Sequence, residues 1–206
     1  YSSYILGTWP PQKKSFLRAK RAMDNLIGAH IEAYELIHRI YKQKNLSSPS
    51  VSIAQNLQGF VSCGDSLKNR LAAKVRDKFY NFEFIDRLAR KKSLDFIGIN
   101  YYSRMLVDVE GWSLRSFLLE TCSKNHFPLK KNSLGWDIYP EGLYKLLLRL
   151  KKYNLPVFIL ENGICTADDN ERWDFIREHL KNIHLALTQG VEVLGYIYWS
   201  LLDNFE

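Results

Sequence analysis

Apolar residues along the chain gather in four short runs, which are separated by longer segments of mixed polarity. The runs read VSIAQN, DFIGIN, VFILEN and VLGYIYWS, at positions 51–56, 95–100, 157–162 and 193–200. Each contains β-branched or aromatic residues and is too short for a stable helix, so we predict four strands. Because the runs are nearly continuous in their apolar character, they favour strands buried on both faces of a parallel sheet.

The segments before and between these runs repeat apolar residues every three or four positions, as one face of a helix does. Ser66 is placed to cap the second helix, Pro140 to begin the third, and Asp168 or Asp169 to cap the fourth. The predicted inner faces are Met23, Ile27, His30, Tyr34, Ile37 and Tyr41; Leu67, Leu71, Val75, Phe79 and Phe82; Leu143, Leu146, Leu147 and Leu150; and Trp173, Ile176, Leu180, Ile183 and Leu187. This alternation of helix and strand predicts right-handed crossovers and an α/β fold.

Two parallel architectures fit the alternation: an open doubly wound sheet or part of a (β/α)8 barrel. A dinucleotide-binding sheet needs a G-x-G-x-x-G turn after its first strand, and the sequence has none. Polar residues instead collect where the strands end, which is where a barrel carries its active site. They are Asn56, Asn100, Tyr102, Glu161 and the segment from Trp199 to Glu206. The segment from Ser103 to Trp136 has no clear period and is predicted to be a long connection on the same side.

Composition narrows the class of protein. The chain has 206 residues, of which 46% are apolar and 14% aromatic, as expected for one globular domain. No apolar run is long enough to span a membrane, and no signal-peptide layout is present. The net charge of +7 comes from scattered lysine and arginine residues without a basic stripe, so neither a nucleic-acid nor a membrane partner is expected.

The cysteines give a further expectation. Cys63, Cys122 and Cys165 are widely spaced and form no C-x-x-C pair. We therefore predict free thiols in a reducing, cytoplasmic environment, with no disulfide framework, no metal site and no cofactor.

Six segments together resemble glycoside hydrolase family 1, the β-glucosidase family. They are FIGINYYS, LGWDIYPEGLY, VFILENG, GYIYWSLLDNFE and, less strongly, YILGTWPP with HIEAYELI. The resemblance implies a (β/α)8 barrel of roughly twice this length. It makes residues 1–206 a single incomplete domain, the C-terminal half with strands five to eight and their helices. The first four strands and an N-E-P motif would lie upstream of Tyr1, and the chain would stop before the final helix.

The same resemblance implies a retaining mechanism on β-glucosides or β-galactosides, with two carboxyl groups about 5 to 5.5 Å apart. Glu161 would be the nucleophile and Tyr102 its hydrogen-bond partner. Asn100 would line the sugar subsite, Trp199 would stack on the pyranose, and Glu206 would accept bonds from the 4- and 6-hydroxyls. Because a carboxylate at position 206 repels phosphate, an unphosphorylated glycoside is the expected substrate. Trp136 is expected to be structural.

Several alternatives stay open. The residues alone would pair Glu161 with Glu206 as nucleophile and acid, whereas the resemblance places the acid/base in the upstream N-E-P segment and leaves this chain inactive alone. Glu161 could be a solvated turn acid, Asn100 a strand cap, Tyr102 a rim aromatic and Trp199 a core residue. A sugar-binding protein without turnover is the other functional class.

Two departures from the family pattern concern the neighbourhood of the site. Leu160 stands where a threonine usually precedes the E-N-G glutamate, and the short ARKKSL joins a helix to the strand DFIGIN in place of a longer insert. A half barrel also exposes strand edges and one side of its core. We therefore expect the chain to pair with the missing N-terminal half, to form a homo-oligomer or to aggregate.

Overall fold

The computed structural model describes residues 1–122 and 129–202. The helices are α1 Phe16–Gln43, α2 Leu67–Asp77, α3 Glu83–Arg90, α4 Leu114–Leu119, α5 Pro140–Leu150 and α6 Asp169–Thr188. The strands are β1 Ala54–Ser62, β2 Ile97–Val107, β3 Val157–Asn162 and β4 Val193–Tyr198. Although α1 has 28 residues, no helix among the described residues is both long and apolar enough to cross a membrane.

The four strands form one parallel sheet in the order β1-β2-β3-β4, with helices in every connection. This confirms the predicted α/β class and the predicted extent of β3. β1 begins and ends later than its apolar run, and β2 continues to Val107, through five residues of the predicted connection. Both extensions carry polar residues among apolar ones, so a search for continuous apolar runs stops too early.

The main core lies between the sheet and the helices that cover it. Leu143, Leu146, Leu147 and Leu150 on α5 are at most 3% exposed, which confirms that predicted face. Pro140 occupies the first turn of α5, where its missing N–H costs nothing. Each of these leucines contributes about 1.5–3 kcal/mol by burial. The packing fixes the positions of β2 and β3, which carry Asn100, Tyr102 and Glu161 of the predicted site.

The predicted inner face of α2 is wrong at its beginning. Leu67 and Leu71 are 71% and 43% exposed, whereas Phe82 is buried as expected. The helix instead buries a largely polar stripe, which is Asn69, Ala72, Ala73, Arg76 and Asp77. Arg76 is satisfied by the backbone carbonyls of Ser116, Phe117 and Glu120 around α4. A pattern of apolar positions cannot find a face whose polar groups are buried and paired.

The predicted inner face of α6 is also wrong in part. Asp168 caps the helix as expected, by accepting a hydrogen bond from the Asn170 N–H at 2.9 Å, and Ile183 is buried. Trp173, Leu180 and Leu187, however, are 65%, 43% and 44% exposed. The helix packs on the sheet through a neighbouring stripe, which is Phe175, His179, Ile183 and Ala186. α6 is therefore apolar on two sides, and one of them remains open in this chain.

The prediction of free thiols is wrong for two of the three cysteines. Cys63, just after β1, and Cys122 form a disulfide whose Cα atoms are 6.0 Å apart, and Cys165 is free and exposed. The pairing brings together residues 59 positions apart in sequence, because the backbone N–H of Cys63 bonds to Val107 at the end of β2. Asp108 lies beside the two sulfurs, which are bonded to each other rather than to a metal.

His179 makes the stability of the fold depend on pH. Its Nδ1–H donates to the Phe175 carbonyl at 2.8 Å, and its Nε2 is buried without a partner among the described residues. Burial lowers the pKa of His179 to about 4, although the Phe175 carbonyl acts in the opposite direction. The unfolded chain, with an ordinary histidine pKa, therefore binds more protons between pH 6.5 and 4 than the folded chain does. We expect the free energy of unfolding to fall by up to about 3 kcal/mol over that interval.

Urea unfolding at pH 7 and pH 4.5 measures this loss. His179→Leu removes the titrating ring and should flatten the pH dependence, whereas His184→Gln, at an exposed position on the same helix, should keep the wild-type slope. Equal slopes for the wild type and His179→Leu would contradict the assignment.

Candidate active site

A β-bulge places Glu161 at the end of β3. Ile99 pairs with Ile159, but the next residue of β2, Asn100, pairs with Glu161, so Leu160 is an extra residue in β3. Side chains two residues apart on a strand share a face, and Ile159 is fully buried. Without the extra residue, Glu161 would lie on the face of Ile159. The bulge turns the carboxylate towards the face of Asn100 and Tyr102, as bulges beside active sites commonly do.

Tyr102 holds this carboxylate directly. Its hydroxyl donates a hydrogen bond to Glu161 Oε2 at 2.6 Å, a length typical of a bond to a charged acceptor. Asn100 lies two residues earlier on β2 and therefore on the same face. The structure thus brings three of the predicted site residues together where the pairing of β2 with β3 ends.

Asn100 leaves one hydrogen-bonding group unused. Its Oδ1 is buried and has no partner among the described residues. Buried polar side-chain atoms without partners are uncommon in folded proteins and call for an explanation. If Asn100 only capped its strand, this oxygen would bond to nearby backbone, and it does not. The amide oxygen is therefore a buried acceptor that the described residues leave unpaired.

The Asn-Gly pair after Glu161 supports the site rather than forming a simple solvated turn. Asn162 is fully buried, donates to the Tyr101 carbonyl at 2.6 Å and accepts from the Tyr196 hydroxyl at 2.8 Å. Gly163 lies against the backbone of Trp199, where a Cβ would be 1.9 Å from the Trp199 carbonyl oxygen. Any larger residue would clash there, so this sequence ties β3 to both of its neighbours.

Trp199 faces a cavity rather than the core. Its side chain is 39% exposed, and it lines a cavity of about 580 Å³ together with Tyr102, Trp136 and Tyr198. A second cavity of about 420 Å³ also includes Tyr102 and Trp136 in its lining. The observed exposure disagrees with the alternative that Trp199 is a core residue.

Trp136, which was expected to be structural, lies on this surface, and its role stays a prediction. It is 47% exposed and its ring lies edge-on to Tyr102, with centroids 6.3 Å apart. The sequence held one signal for this placement of Trp136, which is that an aromatic residue follows Gly135 in the connection after a strand. Glu206 falls outside the described residues, so its predicted contact with a sugar stays a prediction. His126, in the predicted long connection, is outside them as well.

The arrangement combines a carboxylate oriented by a phenol, an amide oxygen without a partner and two exposed indole rings beside cavities. Comparison with known proteins identifies its family. The sequence model described as Glycosyl hydrolase family 1 matches residues 70–206. The chain belongs to glycosyl hydrolase family 1. This confirms the resemblance that the sequence motifs indicated.

Members of glycosyl hydrolase family 1 match over almost the whole chain. A β-galactosidase of Sulfolobus acidocaldarius is 30% identical over 96% of this chain and 43% of its own length. The Galactolipid galactosyltransferase SFR2, chloroplastic, of Arabidopsis thaliana is 32% identical over 99% of this chain and 32% of its own. The chain thus spans less than half the length of these relatives.

Solved structures of the family show the fold of the whole domain. The β-glycosidase from Pyrococcus horikoshii superposes with a TM-score of 0.87 at 33% identity, over 100% of this chain and 49% of that one. The β-glucosidase from Thermotoga maritima in complex with glucoimidazole gives 0.82 at 26% identity. The four-stranded sheet with its helices is therefore a partial (β/α)8 barrel, as predicted.

Proposed function

We propose that the protein containing this chain is a retaining β-glycosidase of glycosyl hydrolase family 1 acting on unphosphorylated β-glucosides or β-galactosides. The observation that carries the proposal is the Tyr102–Glu161 hydrogen bond, which joins β2 to the carboxyl end of β3. The Glu161 carboxylate is held in one orientation beside cavities of about 420 and 580 Å³, a size typical of small-molecule sites. Family membership supports the class of reaction, since the relatives named above act on glycosides.

In the proposed reaction, Glu161 attacks the anomeric carbon while the bond from that carbon to the leaving oxygen breaks. The leaving oxygen takes a proton from an acid that lies outside this chain. Water then gives a proton to the same group and attacks the anomeric carbon, which releases Glu161 and retains the configuration. Tyr102 donates its hydrogen bond to Glu161 Oε2. The hydrogen bond fixes the plane of the Glu161 carboxylate. Less conformational entropy is therefore lost when the carboxylate is oriented for attack on the anomeric carbon.

Sugar recognition is assigned to three residues. Asn100 would use its unpaired Oδ1 to accept a hydroxyl hydrogen, and Trp199 would place its exposed ring against the apolar face of the pyranose. Glu206 would accept hydrogen bonds from the 4- and 6-hydroxyls. Because its carboxylate would repel a phosphate group, 6-phosphoglycosides should be poor substrates.

The remaining part of the barrel is the proposed partner of this chain. The open side of α6 exposes Trp173, Leu180 and Leu185 beside Arg177, Lys181 and His184. Exposed patches of this kind mark surfaces that other protein covers. Produced alone, the chain should lack turnover and should associate with itself or with the missing half. The cytoplasmic location stays a prediction, which the disulfide disfavours because a reducing compartment opens such bonds.

Labelling with a 2-deoxy-2-fluoro-β-glycoside that carries a dinitrophenyl leaving group tests the proposal. The activated leaving group reduces the need for the acid, and the fluorine slows release of the sugar from the enzyme. We expect peptide mass spectrometry of the whole protein to find the sugar on Glu161. Label on another residue would contradict the assignment of the nucleophile.

Two other outcomes point to other functions. Sugar binding without label or turnover would identify a non-catalytic carbohydrate-binding relative. Label that leaves faster with added galactose acceptors than with water alone would identify a transferase, the activity named for the Arabidopsis relative. In that case the roles of Glu161 and Tyr102 would remain, because only the acceptor changes.

A further inference from the structure

A hairpin of residues 130–138, here called the Trp136 hairpin, lies beside the middle of β2 and the loop that follows β3. The Ile138 N–H donates to the Lys130 carbonyl at 2.9 Å, and the Asn132 N–H donates to the Trp136 carbonyl at 3.0 Å. Gly135 adopts a φ of +77°, which lets the chain reverse direction at low cost. These contacts shape the hairpin internally, but they do not determine where it lies on the barrel.

Two attachments determine that position. On β2, the Arg104 Nε–H donates to Asp137 Oδ2 at 2.8 Å and the Ser103 hydroxyl donates to the Asp137 carbonyl at 2.9 Å. On the loop after β3, the Cys165 carbonyl accepts from the Ser133 N–H at 3.1 Å. Arg104 and Asp137 are 5% and 9% exposed, so this ion pair is shielded from water. The hairpin therefore bridges the two strands that carry Tyr102 and Glu161.

We propose that the Arg104–Asp137 ion pair is a positioning device for the reaction, setting where Trp136 lies against Tyr102 and thereby how Tyr102 presents its hydroxyl to Glu161. The proposal rests on the proposed function. Arg104 follows Tyr102 by two residues on β2, and Asp137 directly follows Trp136, so the pair joins the two segments next to the rings that touch. The ring contact and the Tyr102–Glu161 bond then continue this connection to the carboxylate.

The charge of the pair matters because it is buried. A shielded ion pair holds its geometry more strictly than an exposed one, and losing one partner leaves an uncompensated charge. Lys131 cannot substitute for Arg104, since its Nζ is 4.0 Å from Asp137 Oδ1 and its side chain is half exposed. Arg104 also lies over the Tyr139 ring, 5.3 Å from the centroid, which limits its rotation.

Arg104→Met in the whole protein is the first test. Methionine keeps much of the volume but donates no hydrogen bond, so the hairpin should shift relative to β2. We expect kcat/KM for an aryl β-glycoside to fall by about 10- to 100-fold, mainly in kcat, since a displacement near 1 Å has effects of that size. Arg104→Lys keeps the charge and should recover part of the loss.

A double variant separates positioning from stability. Arg104→Met with Asp137→Leu removes both charges, and apolar replacement of a buried pair commonly restores stability. We expect the Tm to return towards that of the wild type while kcat stays low. Recovery of kcat together with the Tm would overturn the proposal, because the pair would then serve stability alone. Lys152→Met, which breaks the exposed pair with Asp86, is the matched control and should leave kcat unchanged.

Acrylamide quenching of Trp136 gives a reading that needs no turnover, obtained as the difference from the same protein with Trp136→Phe. Arg104→Met should change the quenching constant of Trp136 at least about twofold, because the contact that covers part of its ring against Tyr102 would be altered. An unchanged constant with unchanged kcat would overturn the proposal. If the wild type shows no turnover while the quenching of Trp136 still changes, the proposed glycosidase function fails and the positioning of the hairpin stands.

Discussion

Glu161→Gln should lower kcat/KM of the whole protein for aryl β-glucosides by about 10⁴-fold or more, the scale seen when a covalent nucleophile is removed. Glutamine keeps an oxygen that can accept the Tyr102 hydrogen bond, so the local geometry should survive. It lacks the negative charge that must attack the anomeric carbon. Initial rates of nitrophenol release measure the effect, and the Tm of the variant should stay close to that of the wild type.

Two further variants test whether the loss of rate in Glu161→Gln comes from removal of the nucleophile itself. Glu192→Gln, at an exposed position just before β4, should keep wild-type rates. Glu161→Ala with added azide should regain cleavage and give a glycosyl azide of inverted configuration, because the small anion takes the place of the carboxylate. Wild-type rates for Glu161→Gln would remove Glu161 from the mechanism. An azide product of retained configuration would instead assign Glu161 as the acid/base.

The sequence was sufficient for the parts of the fold whose burial follows a simple pattern. β3 and the inner face of α5 are apolar and regular, and both were predicted correctly. The placement of polar residues at strand ends also indicated the site, because parallel strands in chain order bring Asn100, Tyr102 and Glu161 to one edge. The comparisons confirm the family, while the roles of these residues stay predictions.

Other features depend on tertiary contacts that no local pattern contains. The bulge at Leu160 decides which face Glu161 occupies, yet simple alternation would turn it towards the side of Ile159. The Cys63–Cys122 disulfide needed the extension of β2 to Val107, which brings the two cysteines together. The buried stripe of α2 contains Arg76, whose burial is favourable only because α4 supplies carbonyl acceptors.

The site is therefore held from two directions. On one side, β2 supplies Tyr102, which orients the carboxylate of Glu161. On the other side, the residues after Glu161 are packed against β4: the Asn162 carbonyl accepts from the Trp199 N–H at 3.0 Å, and Gly163 touches the Trp199 carbonyl. A change at either contact should affect catalysis without altering a reacting atom.

Gly163→Ala tests the contact with Trp199, the residue that follows β4. We expect it to lower kcat/KM more than any other single substitution proposed apart from that of Glu161. The added Cβ would be 1.9 Å from the Trp199 carbonyl oxygen and 3.0 Å from its carbon, and both atoms belong to backbone that cannot rotate away. Either β3 or β4 must move, which would displace Glu161 relative to Trp199. We expect kcat/KM to fall by about 100-fold and the free energy of unfolding to fall by about 1–3 kcal/mol.

Gly28→Ala is the matched control, because the same added methyl meets nothing within 4 Å on α1. It should raise the free energy of unfolding by about 0.5–1 kcal/mol, since alanine loses less conformational freedom than glycine in a helix. Activity of this control should equal that of the wild type. Urea unfolding and steady-state kinetics of both variants measure the contrast. Wild-type stability and kcat/KM in Gly163→Ala would mean that the approach of β3 to Trp199 does not hold the site.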